Sequence, residues 1–292
     1  MKIAIFAREI NEKWWNRLMS VLKELDSRGV ELTYYRPFYT NMVHSTDIPI
    51  PAGDLFTGEL DLPSDTDIFL CLGGDGTFLE SITMVRDRDI PIAGVNFGRL
   101  GFLTAADSVN EEWIDALISK SFQIEKRALL TVSSSAIPPN FCRYALNEVS
   151  FQRKDPSMLA VYVKVNGMEL PPYWSDGLVL ASPTGSTAYS LSVGGPIALP
   201  GVKALILAPI APHNLNVRPL VVSDDSIIEI HVESRKGSAI MSLDNRSFIL
   251  PAGEKVLISK AEFDIKYISL TRDSFIEALK EKLLWGKDKR NS

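Results

Sequence analysis

Cysteine and histidine are scarce in this sequence, and their scarcity excludes several kinds of site. Its 292 residues include two cysteines, Cys71 and Cys142, and three histidines. The cysteines lie too far apart for a disulfide framework or for zinc-ligand spacing, so we expect two reduced thiols in a cytosolic protein. The histidines are equally scattered, and we predict no metal ion held by the protein's own side chains.

Basic clusters are also missing. Lys and Arg number 31 against 36 Asp and Glu, which gives a formal net charge of −5. An acidic protein without a basic run is a poor candidate for binding nucleic acid, so we predict no nucleic-acid partner. A local site can still oppose the net charge, which leaves a small ligand that carries phosphates open.

Long apolar segments are absent as well. The N-terminus has too short an apolar run for a signal peptide. The longest uncharged stretch, 177–202, contains Pro183, Pro196, Pro200 and several hydroxyl side chains, whereas a membrane helix needs about 20 predominantly apolar residues. We therefore expect a cytoplasmic protein that does not enter a membrane. A charge-free stretch rich in Gly, Ser and Thr instead indicates backbone that approaches a ligand.

The first part of the chain alternates between strand-like and helix-like segments, which indicates a parallel α/β sheet. Residues 40–62 contain prolines and glycines and are predicted to form a long loop. The apolar runs predict strands at 2–7, 30–35, 67–72 and 90–96, and helical spacing predicts helices at 11–28, 77–85 and 110–120.

The pattern changes near Arg127. From there to about residue 270, short alternating apolar runs are separated by Gly, Pro and Asn, which is typical of an all-β domain. Residues 273–285 return to a helical pattern, and an isolated helix cannot bury its apolar stripe by itself. We predict an α/β domain over 1–127, a β-rich domain over 128–271 and a C-terminal helix, 272–287, that packs on one of the two.

A glycine-rich loop with a single acid follows the predicted strand 67–72. Ligands of open α/β sheets bind at the carboxyl ends of strands, and glycines let backbone N–H groups approach a phosphate. An aspartate there can accept the proton of an attacking hydroxyl or hold Mg²⁺, or it can merely cap the helix while the glycines form a tight turn. The acid is Asp75, and the residues predicted to bind donor phosphates are Gly73, Gly74, Gly76 and Thr77.

A second group of polar residues lies in the β-rich part. Asn147-Glu148 and Asp176 offer amide and carboxylate groups that suit ribose hydroxyls and base edges, and 182–192 is rich in Ser and Thr. Each feature alone is more typical of a solvated strand or a capped turn. The chain has no G-x-x-x-x-G-K-[ST] loop, no G-x-G-x-x-G fingerprint and no protein-kinase motif set.

Together these motifs resemble the NAD kinase family, whose members phosphorylate the 2′-hydroxyl of the adenosine ribose of NAD. GGDGT is shared with diacylglycerol, sphingosine and 6-phosphofructo kinases, whereas the other motifs are more specific. These are GRLGFL (98–103), Asn147-Glu148, SDGLVLASPTGSTAYSLSVGGP (175–196), PHNLNVRPL (212–220) and KEKLLWG (280–286). The resemblance implies a Rossmann-like α/β domain followed by a β-sandwich-like domain, with the C-terminal helix packed back on the first.

The resemblance also implies roles for individual residues, with the active site between the domains. Asp75 resembles the catalytic base toward the 2′-hydroxyl. Asn147 and Glu148 match the pair that binds the ribose and adenine region of NAD, and Asp176 matches the aspartate that reaches the nicotinamide riboside. Further substrate-binding residues are implied at Gly74, Gly76, Phe102, Thr187, Ala188, Tyr189, Ser190, Ser192 and Ala211.

Some positions depart from the family pattern or match it in a way that leaves a structural role open. Asp244-Asn245-Arg246 keeps the aspartate of a family motif that usually continues with Gly and then Gln or Arg. The first strand ends in Ala7-Arg8, without the glycine that many members have there. His213 and Arg218 match family positions at which a structural role is the alternative.

The implied reaction needs NAD and ATP, with Mg²⁺ or another divalent cation accompanying ATP. Mg²⁺ is expected to supply much of the charge neutralisation, because the motifs before the C-terminal segment contribute no lysine and GRLGFL contributes only Arg99. Family members are usually homodimers or homotetramers, which implies an NAD site near a subunit interface. Two other functions remain open: a lipid kinase that shares GGDGT, and a non-catalytic dinucleotide-binding sensor.

Overall fold

The computed structural model describes residues 1–98, 101–104, 106–107, 112–270 and 274–284. The chain divides into two compact units, Met1–Lys126 with Ile265–Ser292, and Arg127–Asp264. We call them unit 1 and unit 2.

Strands and helices alternate in the first part of the chain, and strands dominate from Gln123 onward. The described strands are β1 Lys2–Phe6, β2 Glu31–Tyr35, β3 Gly53–Phe56, β4 Ile68–Leu72, β5 Ile92–Asn96, β6 Ala106–Asp107, β7 Gln123–Ser133, β8 Tyr144–Ala145, β9 Glu148–Arg153, β10 Leu159–Val165, β11 Met168–Glu169, β12 Tyr173–Ser175, β13 Gly177–Ala181, β14 Ala204–Ile210, β15 Leu220–Ser223, β16 Ile228–Glu233, β17 Ser238–Leu243, β18 Arg246–Pro251 and β19 Val256–Ser269. The described helices are α1 Trp15–Ser27, α2 Arg36–Ser45, α3 Asp75–Val85, α4 Glu112–Ile118, α5 Tyr189–Ser192 and α6 Ser274–Lys282, with 3₁₀ turns at Glu12–Trp14 and Thr184–Thr187.

Unit 1 is built on a parallel sheet in the order β3-β2-β1-β4-β5, and the end of β19 runs parallel to β5. After β3 the chain returns to the other side of β1 and forms β4, so the strand order reverses between β1 and β4. In open α/β sheets the crevice at such a reversal, outside the carboxyl ends of the strands, is where ligands bind.

Helix α6 belongs to unit 1 and packs within it. Ala278 and Leu279 are buried, and the rings of Phe275 and Phe102 lie 6.0 Å apart. The apolar stripe that the sequence pattern predicted for a C-terminal helix is therefore covered by the α/β unit. This confirms the expectation that the helix returns to the first domain.

The predicted loop at 40–62 is wrong as one continuous loop, because this region contains the end of α2 and the whole of β3. Residues 46–52 and 57–62 do lack helix and strand, as predicted. Pro37 lies in the first turn of α2, where it needs no N–H partner, and Phe38 and Met42 are buried one helical turn apart. Gly53 pairs with Leu32 in a parallel ladder, and a Cβ there would lie 2.3 Å from the Leu32 carbonyl oxygen. Gly53 therefore allows two strands to pack closely, and Pro37 begins the helix that runs into this region.

Unit 2 is β-rich, as predicted, and its described helical segments are the short 3₁₀ turn Thr184–Thr187 and helix α5. One antiparallel sheet has the order β15-β14-β13-β9-β17-β18, and a second group of strands runs β11-β10-β16-β19, with β12 on β10. Buried side chains of both groups share one core, including Phe151 and Leu180 of the first and Val161 and Ile230 of the second. Two sheets that meet through their apolar faces form a sandwich, so the α/β plus β-sandwich-like fold class is confirmed.

Two other sequence expectations concern the thiols and the membrane. Cys71 and Cys142 are both free and buried, and burial raises the pKa of the Cys71 thiol. In the described part of the chain no helix is both long enough and apolar enough to cross a bilayer.

Candidate active site

The GGDGT loop of unit 1 lies at the strand reversal. It joins β4 to α3, and the pairing of Phe6 with Cys71 sets it beside the carboxyl end of β1. Helix α3 begins at Asp75, and Gly74 is the cap residue, with no side-chain capping bond. The alternative that Asp75 merely caps the helix is therefore not what the structure shows.

The three glycines of this loop differ in whether the fold itself requires glycine at their positions. Gly73 has φ +152°, and a Cβ there would lie 2.7 Å from Thr77 Oγ1, so the turn itself needs glycine. At Gly74 and Gly76 a Cβ would meet no atom within 4 Å. The folded protein therefore leaves open space above these two residues, at the positively polarised N-terminus of α3.

The Asp75 carboxylate is held by the segment 101–104. Oδ1 accepts the backbone N–H groups of Leu103 (3.0 Å) and Thr104 (3.1 Å) and the Thr104 hydroxyl (3.1 Å). Among the described residues, Oδ2 accepts one hydrogen bond, from the Phe102 N–H at 2.8 Å. A carboxylate oxygen has about two lone-pair directions, so Oδ1 is fully used, whereas Oδ2 can accept one more hydrogen bond.

A lysine stands next to the same carboxylate, which the sequence analysis did not expect. Lys282, the last residue of α6, has its Nζ 3.7 Å from Asp75 Oδ2 and 4.6 Å from the Phe102 ring centroid. The prediction that the motifs supply no lysine here is therefore wrong. The only signal was the KEKLLWG segment, because nothing in its spacing connects it to a loop two hundred residues away. Arg99, the cation expected from GRLGFL, lies outside the described residues.

The Asn147-Glu148 pair of unit 2 is positioned by Asp244. The Asp244 side chain is fully buried, and its oxygens accept the backbone N–H groups of Leu146 (2.9 Å), Asn147 (2.7 Å) and Glu148 (3.2 Å). Its own N–H donates to the Glu148 carbonyl at 2.9 Å. Burial raises the pKa of Asp244, while these N–H donors and Arg246 favour its anion.

The serine- and threonine-rich turn after β13 holds the same segment from a second side. The Ser182 hydroxyl donates to the Leu146 carbonyl, and the Ser182 N–H donates to the Asn147 carbonyl at 2.8 Å. Gly185 packs so closely that a Cβ would lie 2.0 Å from the Asn147 carbonyl oxygen. The pair, expected to be solvated if taken alone, is consequently buried, with each residue 8% exposed.

Three buried oxygens in this region have no hydrogen-bond partner among the described residues: Glu148 Oε2, Thr184 Oγ1 and Ser190 Oγ. Burial raises the pKa of Glu148 to about 8, and the Asp244 charge adds to that effect. Unpaired buried polar atoms cost free energy. Such a group of atoms is typical of a site whose partners come from a ligand. The Tyr189 backbone N–H donates to the Glu148 carboxyl, and Ser190 follows Tyr189 in the chain. Thr184 was not among the predicted candidate residues.

Asp176 and Ala211 lie at the opposite end of β13. Asp176 forms an ion pair with Arg153, 3.0 Å apart, and Ala211 has φ +43° directly after β14. Glu148 and Asp176 flank opposite ends of the paired strands β9 and β13, about 17 Å apart along the strand. Tyr189 is influenced by both: burial raises the pKa of its phenol, and the charges of Glu148 and Asp176 raise it further.

The remaining candidates have mixed surroundings. Thr187 and Ala188 are half-buried beside Tyr189, whereas Ser192 and Asn245 are exposed. Arg246 donates to the backbone carbonyls of Cys142 and Tyr144 and stacks on Phe141.

His213 and Arg218 make local backbone contacts. The His213 N–H donates to the Trp174 carbonyl at 2.8 Å. The Arg218 guanidinium donates to the carbonyls of Leu215 and Val217 within its own loop. The Arg218 side chain thus stabilises its own loop, whereas the His213 contact involves backbone atoms only.

The described residues do not form a metal site of their own. No group of three or more His, Cys, Asp or Glu side chains in the described ranges is placed to hold a metal ion. Asp75 is the acid of the GGDGT loop, and both of its oxygens already accept N–H donors. Among the described residues, a divalent cation would therefore need further ligands, such as the oxygens of a bound triphosphate.

Known proteins match this chain over nearly its full length. Residues 3–123 match the ATP-NAD kinase N-terminal domain, and residues 146–270 match the ATP-NAD kinase C-terminal domain. An NAD kinase from Christiangramia forsetii is 39% identical over 295 residues, covering 100% of both chains. One from Porphyromonas gingivalis is 40% identical over 289 residues, covering 98% of each.

Solved structures show the same fold. Yeast NADH kinase complexed with NADH superposes with a TM-score of 0.86 at 24% identity, covering 100% of this chain and 89% of that one. An Archaeoglobus fulgidus NAD kinase in complex with ATP gives a TM-score of 0.72 at 28% identity, covering 97% and 99%.

The fold and the glycine-aspartate loop at the strand reversal define a class of proteins, the phosphotransferases with an α/β unit and an all-β unit. The family models match both halves of the chain, in the order expected. The chain belongs to the NAD kinase family, and it is an enzyme that phosphorylates NAD. The resemblance seen in the sequence motifs is thereby confirmed.

Proposed function

We propose that this enzyme transfers the γ-phosphoryl group of ATP to the 2′-hydroxyl of the adenosine ribose of NAD, with Asp75 as the base. The observation that carries the proposal is the state of the Asp75 carboxylate. Oδ1 is saturated by three donors, so its position is fixed, and Oδ2 keeps room for one hydroxyl. A carboxylate held in this way orients the hydroxyl and takes its proton as the new P–O bond forms.

The donor side of the proposal rests on the loop that surrounds Asp75. Gly73, Gly74, Gly76 and Thr77 present backbone at the N-terminus of α3, and the space above two of these glycines is open. That arrangement suits phosphate oxygens. The ATP complex of the Archaeoglobus fulgidus relative supports ATP as the donor. Mg²⁺, arriving with ATP, would supply neutralisation of the phosphate charge.

The NAD side of the proposal rests on unit 2. The unpaired oxygens of Glu148, Thr184 and Ser190 suit the hydroxyl and amine groups of an adenosine. At neutral pH a Glu148 with a pKa of about 8 is protonated, so it can both donate and accept hydrogen bonds. Asp244 acts here as a positioning residue for the Asn147-Glu148 pair. The other residues proposed to line the NAD site are Phe102, Asp176, Thr187, Ala188, Tyr189, Ser192, Ala211, Asn245 and Arg246.

Assembly and location are part of the proposal. We propose a homodimer or homotetramer, because Asp176 and Ala211 lie at the far end of β13 from Glu148, where they can serve a neighbouring subunit. Leu220 and Val221 of the edge strand β15 are exposed apolar residues that such a contact would cover. We further propose functional domains at 1–127 with the C-terminal helix and at 128–271, and a cytoplasmic location without nucleic-acid or membrane partners.

The decisive test incubates the purified protein with NAD⁺, ATP and Mg²⁺ and follows NADP⁺ with an NADP-specific dehydrogenase. We expect the wild type to form NADP⁺. In Asp75→Asn we expect kcat to fall by about 10²- to 10⁴-fold, with NAD binding retained. Asp87→Asn, an exposed acid just beyond α3, is the control and should match the wild type.

Three other results would redirect the assignment. Unchanged turnover in Asp75→Asn would refute the role of Asp75. NAD binding without NADP⁺, also with polyphosphate as donor, would indicate a sensor. Phosphorylation of diacylglycerol in place of NAD would indicate a lipid kinase.

A further inference from the structure

The C-terminal helix brings a cation to the GGDGT loop. Lys282 ends α6, with its Nζ 3.7 Å from Asp75 Oδ2 and its side chain 26% exposed. The helix is anchored in unit 1 by Ala278 and Leu279, which are buried, and by the contact between Phe275 and Phe102. The backbone that carries Lys282 is therefore fixed by packing, and its side chain is oriented by Asp75 and Phe102.

We propose that Lys282 is a further residue of the phosphoryl-transfer site. Its ammonium balances the charge of Asp75 at Oδ2 and donates hydrogen bonds to the phosphoryl group that is being transferred. This inference rests on the proposed function, because it assigns a phosphate ligand to the same loop.

The contacts leave the ammonium free to bind a second anion. At 3.7 Å the Lys282 Nζ is beyond hydrogen-bond distance from Asp75 Oδ2, so the pair is ionic and uses no particular N–H. An ammonium has three donors. The Phe102 ring lies 4.6 Å from Nζ, and a cation over an aromatic face is stabilised without consuming a donor.

The position also suits the charge that develops during the reaction. Negative charge in phosphoryl transfer spreads over the equatorial oxygens, and a cation that is already in place stabilises it with little reorganisation. The side chain lies at the C-terminal, negative end of α6, which favours a lysine there. The same ammonium faces Asp75, the group proposed to contact the attacking hydroxyl, so one cation lies near both reacting groups.

The test compares Lys282→Gln and Lys282→Arg with Lys280→Gln. Lys280 is exposed on the same helix, two residues earlier, and changes the net charge equally. Each protein is measured for NADP⁺ formation, with kcat and both KM values, and for ATP binding by calorimetry without NAD. Thermal unfolding checks that α6 still packs.

We expect Lys282→Gln to lower kcat by about 10- to 100-fold and to weaken ATP binding, with the KM for NAD little changed. Lys282→Arg should recover part of both losses, and Lys280→Gln should match the wild type. Equal results for the two Gln variants would overturn the proposal. A loss accompanied by a lower Tm and no recovery with Arg would assign Lys282 a merely structural role. If the wild type formed no NADP⁺, the proposed function would fail, and the ATP-binding comparison would decide on Lys282 alone.

Discussion

Single side chains in this protein are constrained by the backbone groups around them. Asp75 and Asp244 each accept three successive backbone N–H groups, from 102–104 and from 146–148 respectively. The two carboxylates differ in exposure, since Asp75 is 32% exposed and Asp244 is fully buried. The first can therefore still reach a ligand, whereas the second can only position its neighbours.

A substitution at Gly76 can test whether a substrate approaches this backbone, because an added methyl group would not disturb the folded protein. A Cβ there meets nothing within 4 Å, and Gly→Ala in a helix stabilises by up to about 1 kcal/mol. We expect Gly76→Ala to keep or raise the Tm but to lower kcat/KM on the order of tenfold or more, because the methyl group fills space that a substrate needs. Enzyme kinetics and thermal unfolding, measured together, check this.

The control for Gly76 is Gly58→Ala, another position where a Cβ meets nothing within 4 Å. It should change neither kinetics nor substrate affinity. Full activity in Gly76→Ala would show that no substrate approaches this backbone.

Glu148 makes the stability of unit 2 depend on pH. Its pKa rises from an ordinary 4.5 to about 8 because the carboxyl is buried. The folded state therefore binds a proton that the unfolded state releases between these values. The resulting contribution to stability is complete below pH 4.5 and is lost as the pH rises to 8, at about 1.4 kcal/mol per pKa unit.

We expect Glu148→Gln to remove much of this loss. Urea unfolding at pH 5 and at pH 8.5 should show a smaller decrease in the free energy of unfolding for the variant than for the wild type, by a few kcal/mol at about 1.4 kcal/mol per unit. Glu31→Gln, an exposed acid, should leave the decrease unchanged. An identical pH dependence in all three proteins would contradict the burial argument.

At the scale of elements, the candidate NAD region depends on how one turn packs on the start of one strand. The 3₁₀ turn Thr184–Thr187 lies against the residues before β9. The Ser182 hydroxyl bonds to the Leu146 carbonyl, and Gly185, which has no side chain, lets the turn approach Asn147 closely. Neither the turn nor the strand could present the Asn147-Glu148 pair alone.

Gly185→Ala is expected to push this turn away from the strand, because a Cβ would lie 2.0 Å from the Asn147 carbonyl oxygen. Overpacking of this kind costs about 1–3 kcal/mol. We expect a lower Tm and weaker NAD binding by calorimetry. Gly201→Ala, where a Cβ meets nothing within 4 Å, is the matched control. Wild-type NAD affinity in Gly185→Ala would mean that the turn does not shape the NAD site.

At the scale of the whole molecule, the described residues of each unit pack around an apolar core of their own. Each unit has its own buried cluster, and both cysteines are free. The described residues contain no group of three metal-ligating side chains.

Chelation by EDTA should therefore separate catalysis from folding. We expect EDTA to abolish NADP⁺ formation, reversibly on adding Mg²⁺, because the donor phosphates lose their counter-charge. The Tm of the substrate-free protein should stay within about 1 °C, since a folding role for the metal would need ligands in the apo protein. A marked fall in Tm would indicate a structural metal.

Much of this could be predicted from the sequence, because the relevant signals are local. Strands β1, β2, β4 and β5 of unit 1, the change to a β-rich pattern near Arg127 and the GGDGT loop follow from periodicity and turn chemistry within short windows. The family resemblance likewise rests on contiguous motifs such as GGDGT and SPTGSTAYS. The prediction of one loop at 40–62 was wrong because it used local signals alone. Gly53 is required by its pairing with Leu32 of a neighbouring strand, which its sequence neighbours do not reveal.

Only the tertiary structure decided which distant residues share a site. Asp244 lies 96 residues or more from the backbone groups that it holds, and the Lys282 Nζ is 3.7 Å from a loop early in the chain. Burial of Glu148 likewise depends on a turn that comes more than thirty residues later. The amino-acid sequence by itself determined the family and the elements whose signals are local, because these rest on near neighbours. Helix α2 and strand β3 were exceptions. The partners of each carboxylate required the folded chain, because electrostatics and packing act through space.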